Sequence, residues 1–461
     1  LAVILGEAPT DETIPEDRVA VLPELGYANP DRDREKRSAD DVTKRLREAA
    51  RSILGGPPDV WHVHNHALGK NLTLPAAVRK LAEEGERLLL HVHDVAEDGR
   101  AGNYHYLLRH LGEGDLGRLG GILYPTAPHV HYAVLNSRDA GFLTQNGLPE
   151  DRCHLLQNPV SVEGLDGAAP APAEKETSRG PPLVLYPTRA IRRKNIGEFL
   201  LWAAAESSTY RYAVTLAPKN PQARPRYDAW VRTAEELGLP VEFELGERSD
   251  CPFGNLLAGA AYTITTSVAE GFGLAFLEPW LAGSPLVGRD LPEITDGMTQ
   301  TGVDLDALYR QVLVPLEWVG RDRFRQRIAA TLGWMLEQYS QQLTDDHVER
   351  ALAASIVNEA VDFGRLDEDM QRSVLRKVAA SPTAAGEMRP SVPGEKTVAR
   401  RALAANRDCV KRHFSVAAYG EKLAATYRTV AAASTGAVTA LDSRGFLQAF
   451  LAPERFYMLR T

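Results

Sequence analysis

The stretch SVAEGFGLAFLEPWLAGSPLV, from Ser267 to Val287, contains the residues that decide the fold. Glu270 stands directly before Gly271–Gly273, and a second carboxylate, Glu278, follows eight positions after Glu270. An apolar run, Ala261–Thr266, precedes the segment and an amphipathic helix is expected after it. The glycines are therefore predicted at the turn from a parallel strand into a helix, where backbone N–H groups and the positive helix end suit an anionic or hydroxyl-rich ligand.

The spacing of the two glutamates argues against a pair of hydrolase carboxylates. If the intervening segment is mostly helical, Glu278 lies roughly 12 Å beyond Glu270, at about 1.5 Å per residue. Two carboxylates acting on one glycosidic carbon need to be roughly 5 to 9.5 Å apart. The spacing better suits one elongated ligand held at two points. Either glutamate alone is typical of a surface position beside a helix, but the whole segment is not.

The whole segment resembles the Glu-x7-Glu signature of retaining glycosyltransferases with the GT-B fold, glycosyltransferase family 4 in particular. Members of that family carry a pattern close to S-x-x-E-G-F-G-L-x-x-x-E-A-x-A-x-G-x-P-V. The residues that match it in register are Ser267, Glu270, Gly271, Phe272, Gly273, Leu274, Glu278, Ala282, Gly283 and Pro285.

The resemblance implies roles for the matched residues. Glu270 and the loop amides contact the donor sugar, and Glu278 binds the ribose hydroxyls of the nucleotide. The expected donor-binding residues are Gly271, Phe272, Gly273, Leu274 and Glu278. Pro279 stands where relatives usually carry alanine. Proline inside a helix costs about 3 kcal/mol, so a late helix start or a kink is expected there.

A basic cluster opens the second half of the chain in LVLYPTRAIRRKNIGEFLLWA, which contains Arg189, Arg192, Arg193 and Lys194. Such clusters are usually solvated faces. Cations between a strand and a helix, however, lie where a diphosphate would be held. The resemblance implies that Arg189 and Lys194 bind the diphosphate of the donor, and it assigns no role to Arg192 or Arg193.

The histidines are concentrated in the first third of the chain, with ten of the twelve before position 155. His-x-His patterns occur in three stretches, His62–His66, His91–His93 and His129–His131, which lie on or beside predicted strands, where residues two apart share a face. Such pairs can ligate zinc, so a metal-dependent hydrolase is the main competing enzyme hypothesis. It explains neither the Glu270 segment nor the basic cluster, and we expect no metal ligand among the site residues.

His93 ends the run LLLHVHD, and relatives keep a histidine followed by Asp or Asn at the corresponding strand end, facing the donor sugar. The resemblance therefore implies that His93 contacts the sugar, through its 6-hydroxyl, and that Asp94 helps to orient it. The neighbouring strand ends in WHVHNHALGKN, Trp61–Asn71, and is expected on the acceptor side. The acceptor candidates are His64, Asn65, Lys70 and Asp94, of which Lys70 would suit an anionic acceptor.

Length and composition agree with a two-domain enzyme. The 461 residues exceed what one core usually supports, and the chain is 44% hydrophobic and 25% charged. No apolar run reaches the roughly 18 residues that span a bilayer. The formal charge of -8 argues against a nucleic-acid partner. Three widely spaced cysteines suggest reduced thiols and a cytoplasmic location.

Strand-like runs alternate with helical stretches, as in doubly wound α/β domains. The predicted strands are Leu1–Leu5, Val60–His64, Leu88–His93, His131–Leu135, Leu183–Tyr186, Tyr212–Leu216, Val241–Leu245 and Tyr262–Thr266, and the first predicted helices are Asp41–Leu54 and Leu74–Glu84.

The predicted domains follow from this alternation. Residues 1–166 form a Rossmann-like acceptor domain that is expected to lack the first strand and glycine loop of its relatives, and 167–182 form a linker. Residues 183–415 form the Rossmann-like donor domain, and 416–461 form helices that cross back to the first domain. A helical insertion at about 305–395 is a candidate lid, acceptor-specificity element or oligomer contact.

These features together predict a GT-B fold, two Rossmann-like doubly wound domains that face each other across a cleft. They predict a retaining, metal-independent hexosyltransferase with a nucleotide-sugar co-substrate, a UDP-sugar in preference to a GDP- or ADP-sugar. The partner is a small-molecule or glycan hydroxyl acceptor. A non-catalytic nucleotide-sugar-binding protein and a GT-B epimerase are the remaining alternatives.

Overall fold

The computed structural model describes residues 1–9, 14–27, 38–161 and 180–460. The chain divides into two compact units. Unit 1 comprises Leu1–Gln157, Gln338–Ser340 and Gly420–Leu451, and unit 2 comprises Asn158–Glu337, Gln341–Tyr419 and Ala452–Thr461. Of the linker predicted at 167–182, residues 167–179 lie outside the described ranges.

Sixteen strands are described, and every strand predicted from the sequence is among them, with bounds that differ by a few residues. They are β1 Val3–Leu5, β2 Val19–Val21, β3 Trp61–His64, β4 Leu88–Val92, β5 Pro125–Thr126, β6 Val130–Val134, β7 Cys153–Leu155, β8 Leu183–Arg189, β9 Arg211–Leu216, β10 Val241–Glu242, β11 Tyr262–Thr265, β12 Leu286–Gly288, β13 Leu313–Pro315, β14 Ile356–Val357, β15 Ala360–Asp362 and β16 Thr439–Ala440.

The main sheet of unit 1 has four parallel strands in the order β3-β4-β6-β7. Every residue of β4 and β6 is buried. Strands buried on both faces are typical of parallel sheets covered by helices, which is why these segments are nearly continuous apolar runs. Two short pairs accompany this sheet, parallel β1-β2 and antiparallel β5-β16.

The helices of unit 1 follow its strands. The first begins at Ala39, where the Ser38 hydroxyl accepts a hydrogen bond from the Asp41 amide, and it ends at Gly55 in the left-handed region. The helices are Ala39–Leu54, Thr73–Glu83, Ala101–His110, Leu116–Leu123, Ser137–Gln145 and Ser443–Leu451; Val416–Ala431 contributes residues to both units.

The main sheet of unit 2 has five parallel strands in the order β10-β9-β8-β11-β12. In chain order this is 3-2-1-4-5, the order of the doubly wound nucleotide-binding fold. The direction of winding reverses between β8 and β11, and ligands of such sheets bind at the carboxyl ends of the strands beside this reversal. The topology therefore directs attention to the segments that follow β8 and β11.

The helices of unit 2 include those of the predicted insertion. They are Ile196–Ala205, Arg224–Glu236, Leu245–Arg248, Phe253–Gly259, Glu278–Ala282, Pro292–Thr299, Arg321–Gln338, Asp345–Ser355, Glu368–Ala380, Pro382–Ala385 and Lys396–His413; the helix Arg321–Gln338 ends in a residue of unit 1. The segment at about 305–395, predicted as helical, also contains the antiparallel sheet β13-β15-β14.

A buried ionic triad joins this insertion to the rest of unit 2. The guanidinium of Arg289 donates to Glu198 at 3.0 and 2.5 Å and to Asp362 at 3.0 and 2.8 Å. All three side chains are at most 1% exposed, and the Tyr309 hydroxyl also donates to Glu198 at 2.7 Å. Because the geometry satisfies both carboxylates, the desolvation cost of the charges is offset by their mutual attraction.

Across the described ranges, no helix combines the length and the apolar character that are needed to cross a membrane.

Candidate functional site

Two loops meet at the carboxyl ends of β8 and β11, as the topology of unit 2 predicts. The backbone N–H of Val268 donates to the carbonyl of Arg193 at 2.9 Å. The Thr266 hydroxyl lies 3.1 Å from the carbonyl oxygens of both Lys194 and Asn195. These contacts bring the basic cluster, which follows β8, against the glycine segment, which follows β11.

Lys194 and Glu270 form an ion pair at this junction, between the ammonium group and Oε1. Only 14% of the Lys194 side chain and 8% of the Glu270 side chain are exposed. The two residues were predicted separately, one for a diphosphate and one for a sugar. The structure shows that they lie in contact.

The backbone beneath Lys194 is fixed from β8. The Tyr186 hydroxyl donates to the Lys194 carbonyl at 3.0 Å and lies 2.8 Å from the Ser267 hydroxyl, which then serves as the donor to Tyr186. Burial raises the pKa of Tyr186, and the charge of Glu270 raises it further. Tyr186 therefore stays protonated and holds both loops.

Asn195 turns the chain from this loop into the helix Ile196–Ala205. Its φ is 51°, in the left-handed region that Asn tolerates better than most residues. Its side-chain nitrogen donates to Glu198 at 2.8 Å, and its side-chain oxygen, Oδ1, accepts from Nε2 of Gln371 at 2.9 Å. The helix that starts here directs the positive end of its dipole toward the loop.

Of the two outcomes expected at Pro279, the structure shows the late helix start and not the kink. The helix Glu278–Ala282 begins late, so Pro279 lies in its first turn, where a missing N–H costs nothing. The residues between Glu270 and this helix form a loop and a short 3-10 turn, Leu274–Phe276. The separation of roughly 12 Å expected between Glu270 and Glu278 assumed a continuous helix. That assumption was wrong.

The carboxylate of Glu278 is partly buried. Burial raises its pKa, while the nearby charge of Lys194 lowers it. Within the described part of the chain, no hydrogen bond reaches this carboxylate. Lys194 thus lies near both glutamates of the signature, and Glu278 keeps its oxygen atoms available.

The two glycines of the signature serve different purposes. Gly273 has φ 87°, and a Cβ there would lie 2.8 Å from the Phe276 ring, so only glycine fits. A Cβ on Gly271 would meet nothing within 4 Å, so the backbone borders open space there. Between them Phe272 is 6% exposed, whereas Leu274 is 40% exposed. Gly273 shapes the turn, and Gly271 leaves room beside it.

The arginines of the basic cluster separate into distinct roles. Nη1 of Arg189 donates to the carbonyl of Ala217 at 2.7 Å, which fixes the half-buried guanidinium beside the site. Arg192 instead forms a two-point ion pair with Glu368, at 2.6 and 2.9 Å. Arg193 is exposed. The sequence assigned no role to Arg192, and the structure gives it a structural one.

In unit 1, His93 and Asp94 lie directly after β4. Oδ1 of Asn65 accepts hydrogen bonds from the backbone N–H groups of His93 and Asp94, at 2.9 and 3.1 Å. Asp94 is paired with Arg100 at 2.6 Å. Asn65, predicted as an acceptor ligand, thus positions the loop that carries His93.

The other acceptor candidates of unit 1 are exposed. The Lys70 ammonium lies 4.4 Å from the centre of the Tyr27 ring, a cation–π contact. Nδ1 of His64 lies 3.0 Å from Nε2 of His93. Among the histidine, cysteine and carboxylate side chains of the described residues, one group of three has the spacing of metal ligands: His62, His64 and His91.

No family model matches the sequence. The chain is 24% identical over 382 residues to mannosylglucosyl-3-phosphoglycerate synthase of Petrotoga mobilis (strain DSM 10674 / SJ95), which covers 76% of this chain and 68% of the relative.

Among solved structures, the chain is similar to sucrose-phosphate synthase from Thermosynechococcus elongatus, with a TM-score of 0.50 and 15% identity over 92% of this chain and 87% of that one. HepE of Anabaena, in complex with UDP and glucose, has a TM-score of 0.46 and 14% identity over 85% and 81% of the two chains. The predicted GT-B fold, with its two Rossmann-like domains, is confirmed.

Several residues that shape the site were missed by the sequence reasoning. Glu368 and Gln371 contact the loop after β8 from a helix more than 170 positions later. Neither residue belongs to a motif. The only local signal was the long helical insertion predicted at about 305–395, which has to pack against another part of the chain.

Proposed function

We propose that the chain is a retaining glycosyltransferase of the family 4 type, which moves a sugar from a nucleotide-diphosphate sugar to a hydroxyl acceptor. The observation that carries the proposal is the ion pair of Lys194 with Glu270 at the winding reversal of the unit 2 sheet. It joins the expected diphosphate ligand and the expected sugar ligand at the place where this fold binds nucleotides.

The donor is held along the loops of unit 2. Glu278 accepts hydrogen bonds from the ribose hydroxyls, with a carboxylate that no described residue contacts by a hydrogen bond. Lys194 and Arg189 bind the diphosphate, and the amides of Gly271–Gly273 and Leu274 line the sugar. Glu270 fixes Lys194 and contacts a sugar hydroxyl through its second oxygen. A UDP-sugar is preferred over a GDP- or ADP-sugar.

The reaction proceeds by front-face substitution. The bond between the anomeric carbon and the diphosphate oxygen breaks, and the sugar passes through an oxocarbenium-like state. The departing oxygen takes the proton of the acceptor hydroxyl, whose oxygen bonds to the same face of the carbon. Catalysis rests on positioning and on charge stabilisation by Lys194, Arg189 and the loop amides.

The acceptor is proposed to carry a negative charge. The relative from Petrotoga mobilis is a mannosylglucosyl-3-phosphoglycerate synthase, and the product in its name bears phosphate and carboxylate groups. The exposed Lys70 suits such a group. The roles of His93 toward the sugar and of His64, Asn65 and Asp94 toward the acceptor rest on the family resemblance.

The transfer is proposed to need no metal, because two protein cations serve the diphosphate. Turnover is therefore expected to persist in chelator. Loss of turnover in chelator with recovery on adding zinc would favour the metal-dependent hydrolase. Cys153, Cys251 and Cys409 form no disulfide within the described ranges, which agrees with the proposed cytoplasmic location.

The test compares Lys194→Ala with Arg193→Ala, a matched loss of one cation from the same cluster. Thermal stabilisation by UDP-, GDP- and ADP-sugars first selects the donor. Nucleotide release is then measured with and without phosphorylated sugar and glycerate acceptors. We expect acceptor-dependent release that Lys194→Ala reduces at least 100-fold and Arg193→Ala leaves intact. Donor binding without release from any acceptor would indicate a binding protein instead.

A further inference from the structure

Four imidazoles meet at the carboxyl ends of β3 and β4 in unit 1. His62 and His64 belong to β3, and His91 and His93 lie on and directly after β4. The strands pair in parallel with His64 opposite His91. Because residues two apart in a strand share a face, the two pairs converge, and the ring centroids of five of the six ring pairs lie 4.1 to 5.2 Å apart.

The nitrogen atoms of this cluster have the spacing of metal ligands. Nε2 of His62 lies 3.2 Å from Nδ1 of His91, and one ring nitrogen from each of His62, His64 and His91 lies within 4.8 Å of the other two. Around tetrahedral zinc, with Zn–N bonds of about 2.0 to 2.1 Å, two ligand nitrogens are roughly 3.3 Å apart. His62 and His91 already have this separation. The exposed His64 ring, whose Nδ1 lies 3.0 Å from Nε2 of His93, would exchange that contact for the ion by rotating toward them.

Tyr427 provides the outer partner that metal-binding histidines usually have. Its hydroxyl lies 2.8 Å from Nδ1 of His62. A histidine that binds a metal through one nitrogen typically donates a hydrogen bond from the other, which fixes its tautomer and orientation. Tyr427 therefore orients His62 so that Nε2 faces His91.

We propose that His62, His64 and His91 bind one transition-metal ion, with Zn²⁺ as the expected occupant. Three imidazole ligands leave a fourth tetrahedral position for water or an anion. Nitrogen ligands select zinc and its neighbours in the transition series over Mg²⁺ and Ca²⁺, which prefer oxygen. The ion joins the ends of β3 and β4, so that His64 binds it in place of the acceptor role that the resemblance implies for this residue, and no step of the transfer proposed for unit 2 uses the ion.

The test uses the full chain, stripped of metal, titrated calorimetrically with Zn²⁺ alone near neutral pH. We expect one ion per chain. His64→Asn, an exposed position, is expected to lower the affinity at least 100-fold. His154→Gln is the matched control, because Nε2 of His154 contacts Nδ1 of His131 at 2.9 Å in a second histidine pair, which no third potential ligand joins among the residues that the structure describes. It is expected to leave the affinity unchanged.

Tyr427→Phe tests the orientation of His62 without removing a ligand. It is expected to weaken Zn²⁺ binding about 10- to 100-fold, with no change in the melting temperature of the metal-free protein. Co²⁺ is a second probe, because a four-coordinate Co²⁺ ion absorbs visible light much more strongly than a six-coordinate ion on the surface.

The proposal is overturned if the wild-type chain takes up no Zn²⁺ at micromolar concentration. The cluster would then be a set of imidazoles that only form hydrogen bonds with one another. It is overturned equally if His64→Asn binds as tightly as the wild type, or if His154→Gln loses the ion to the same degree. No nucleotide sugar is present in these titrations, so their result is independent of the proposed transferase activity.

Discussion

The ammonium group of Lys194 donates a hydrogen bond to Oε1 of Glu270, although the two residues lie 76 positions apart in the sequence. The pair is largely removed from water. A cation that is fixed before the reaction stabilises developing charge without the cost of reorganising at the moment of bond cleavage. The carboxylate therefore matters for the position of Lys194 as well as for its own contacts.

Glu270→Gln is expected to lower kcat roughly 100-fold, the scale seen when one preorganised group is removed from a charge-stabilising site. The measurement is steady-state nucleotide release at saturating donor. Glu242→Gln removes a carboxylate from a surface pair with Arg211 and should leave kcat unchanged. An unaltered kcat in Glu270→Gln would show that the pair is not part of the catalytic site.

Glu278→Gln is expected to weaken the binding of the nucleotide diphosphate by roughly 10- to 100-fold, since charge-assisted hydrogen bonds contribute about 1.5 to 3 kcal/mol. The melting temperature of the free protein should not fall, because the variant removes a partly buried charge whose pKa burial already raises. Calorimetric titration with the nucleotide measures the first effect. Equal affinity in the variant would exclude Glu278 as a ribose ligand.

Gly273→Ala is expected to lower the free energy of unfolding by about 1 to 3 kcal/mol. In the folded state the alanine would have to adopt a positive φ, and its Cβ would press on the Phe276 ring. Gly271→Ala is the matched control, since its Cβ enters open space, and its stability should be close to that of the wild type. Urea unfolding of both variants is the measurement. The reverse order of stabilities would contradict the described turn.

Asp362→Asn is expected to cost about 1 to 3 kcal/mol of unfolding free energy, because it removes one of the two charged acceptors of the buried Arg289 guanidinium. The control is Glu359→Gln, which breaks the exposed pair with Arg321 and should change stability by less than about 1 kcal/mol. Chemical denaturation separates the two. Similar small losses in both variants would mean that the triad contributes little.

Glu97 predicts a pH dependence of stability. Burial raises its pKa from 4.5 to about 7, although the Tyr124 hydroxyl donates to it at 2.8 Å. Between these values the folded chain keeps a proton that the unfolded chain has lost, so this residue makes stability fall as pH rises from 4.5 to 7. The total loss is at most about 3 kcal/mol.

Glu97→Gln should remove this loss of stability, because glutamine does not titrate. The unfolding free energy of the variant minus that of the wild type should therefore increase as pH rises across the same range. Above pH 7 the difference should be constant. Thermal or urea unfolding at a series of pH values gives both curves. Parallel curves from pH 4.5 to 7 would show that Glu97 titrates normally in the folded chain.

The sequence predicted seven of the nine strands of the two main sheets, because parallel strands are continuous apolar runs that can be recognised locally; the three-residue strands β7 and β12 were not predicted. It also predicted the glycine turn, since the Glu270 segment combines several constrained positions in one short stretch. A late helix start was one of two outcomes expected at Pro279, but the sequence did not fix its position at Glu278. It depends on the path of the loop from Gly273, and periodicity does not report such a path.

Contacts between distant segments were outside the reach of the sequence. The cluster of His62, His64, His91 and His93 could be predicted as pairs on single strands, but their convergence requires the register of β3 against β4. The pairing of Arg192 with Glu368 depends on where the insertion packs. A charged residue carries no local sign of which opposite charge it will meet.

The insertion at about 305–395 contacts the rest of unit 2 through Arg192–Glu368, Asn195–Gln371 and Arg289–Asp362. Two of these contacts brace the backbone on either side of Lys194. The segment therefore cannot be removed without losing these contacts. A minimal version of the chain with the segment excised, or a chimera that grafts the shorter segment of a relative, would have to replace all three anchors to keep the loop after β8 in register.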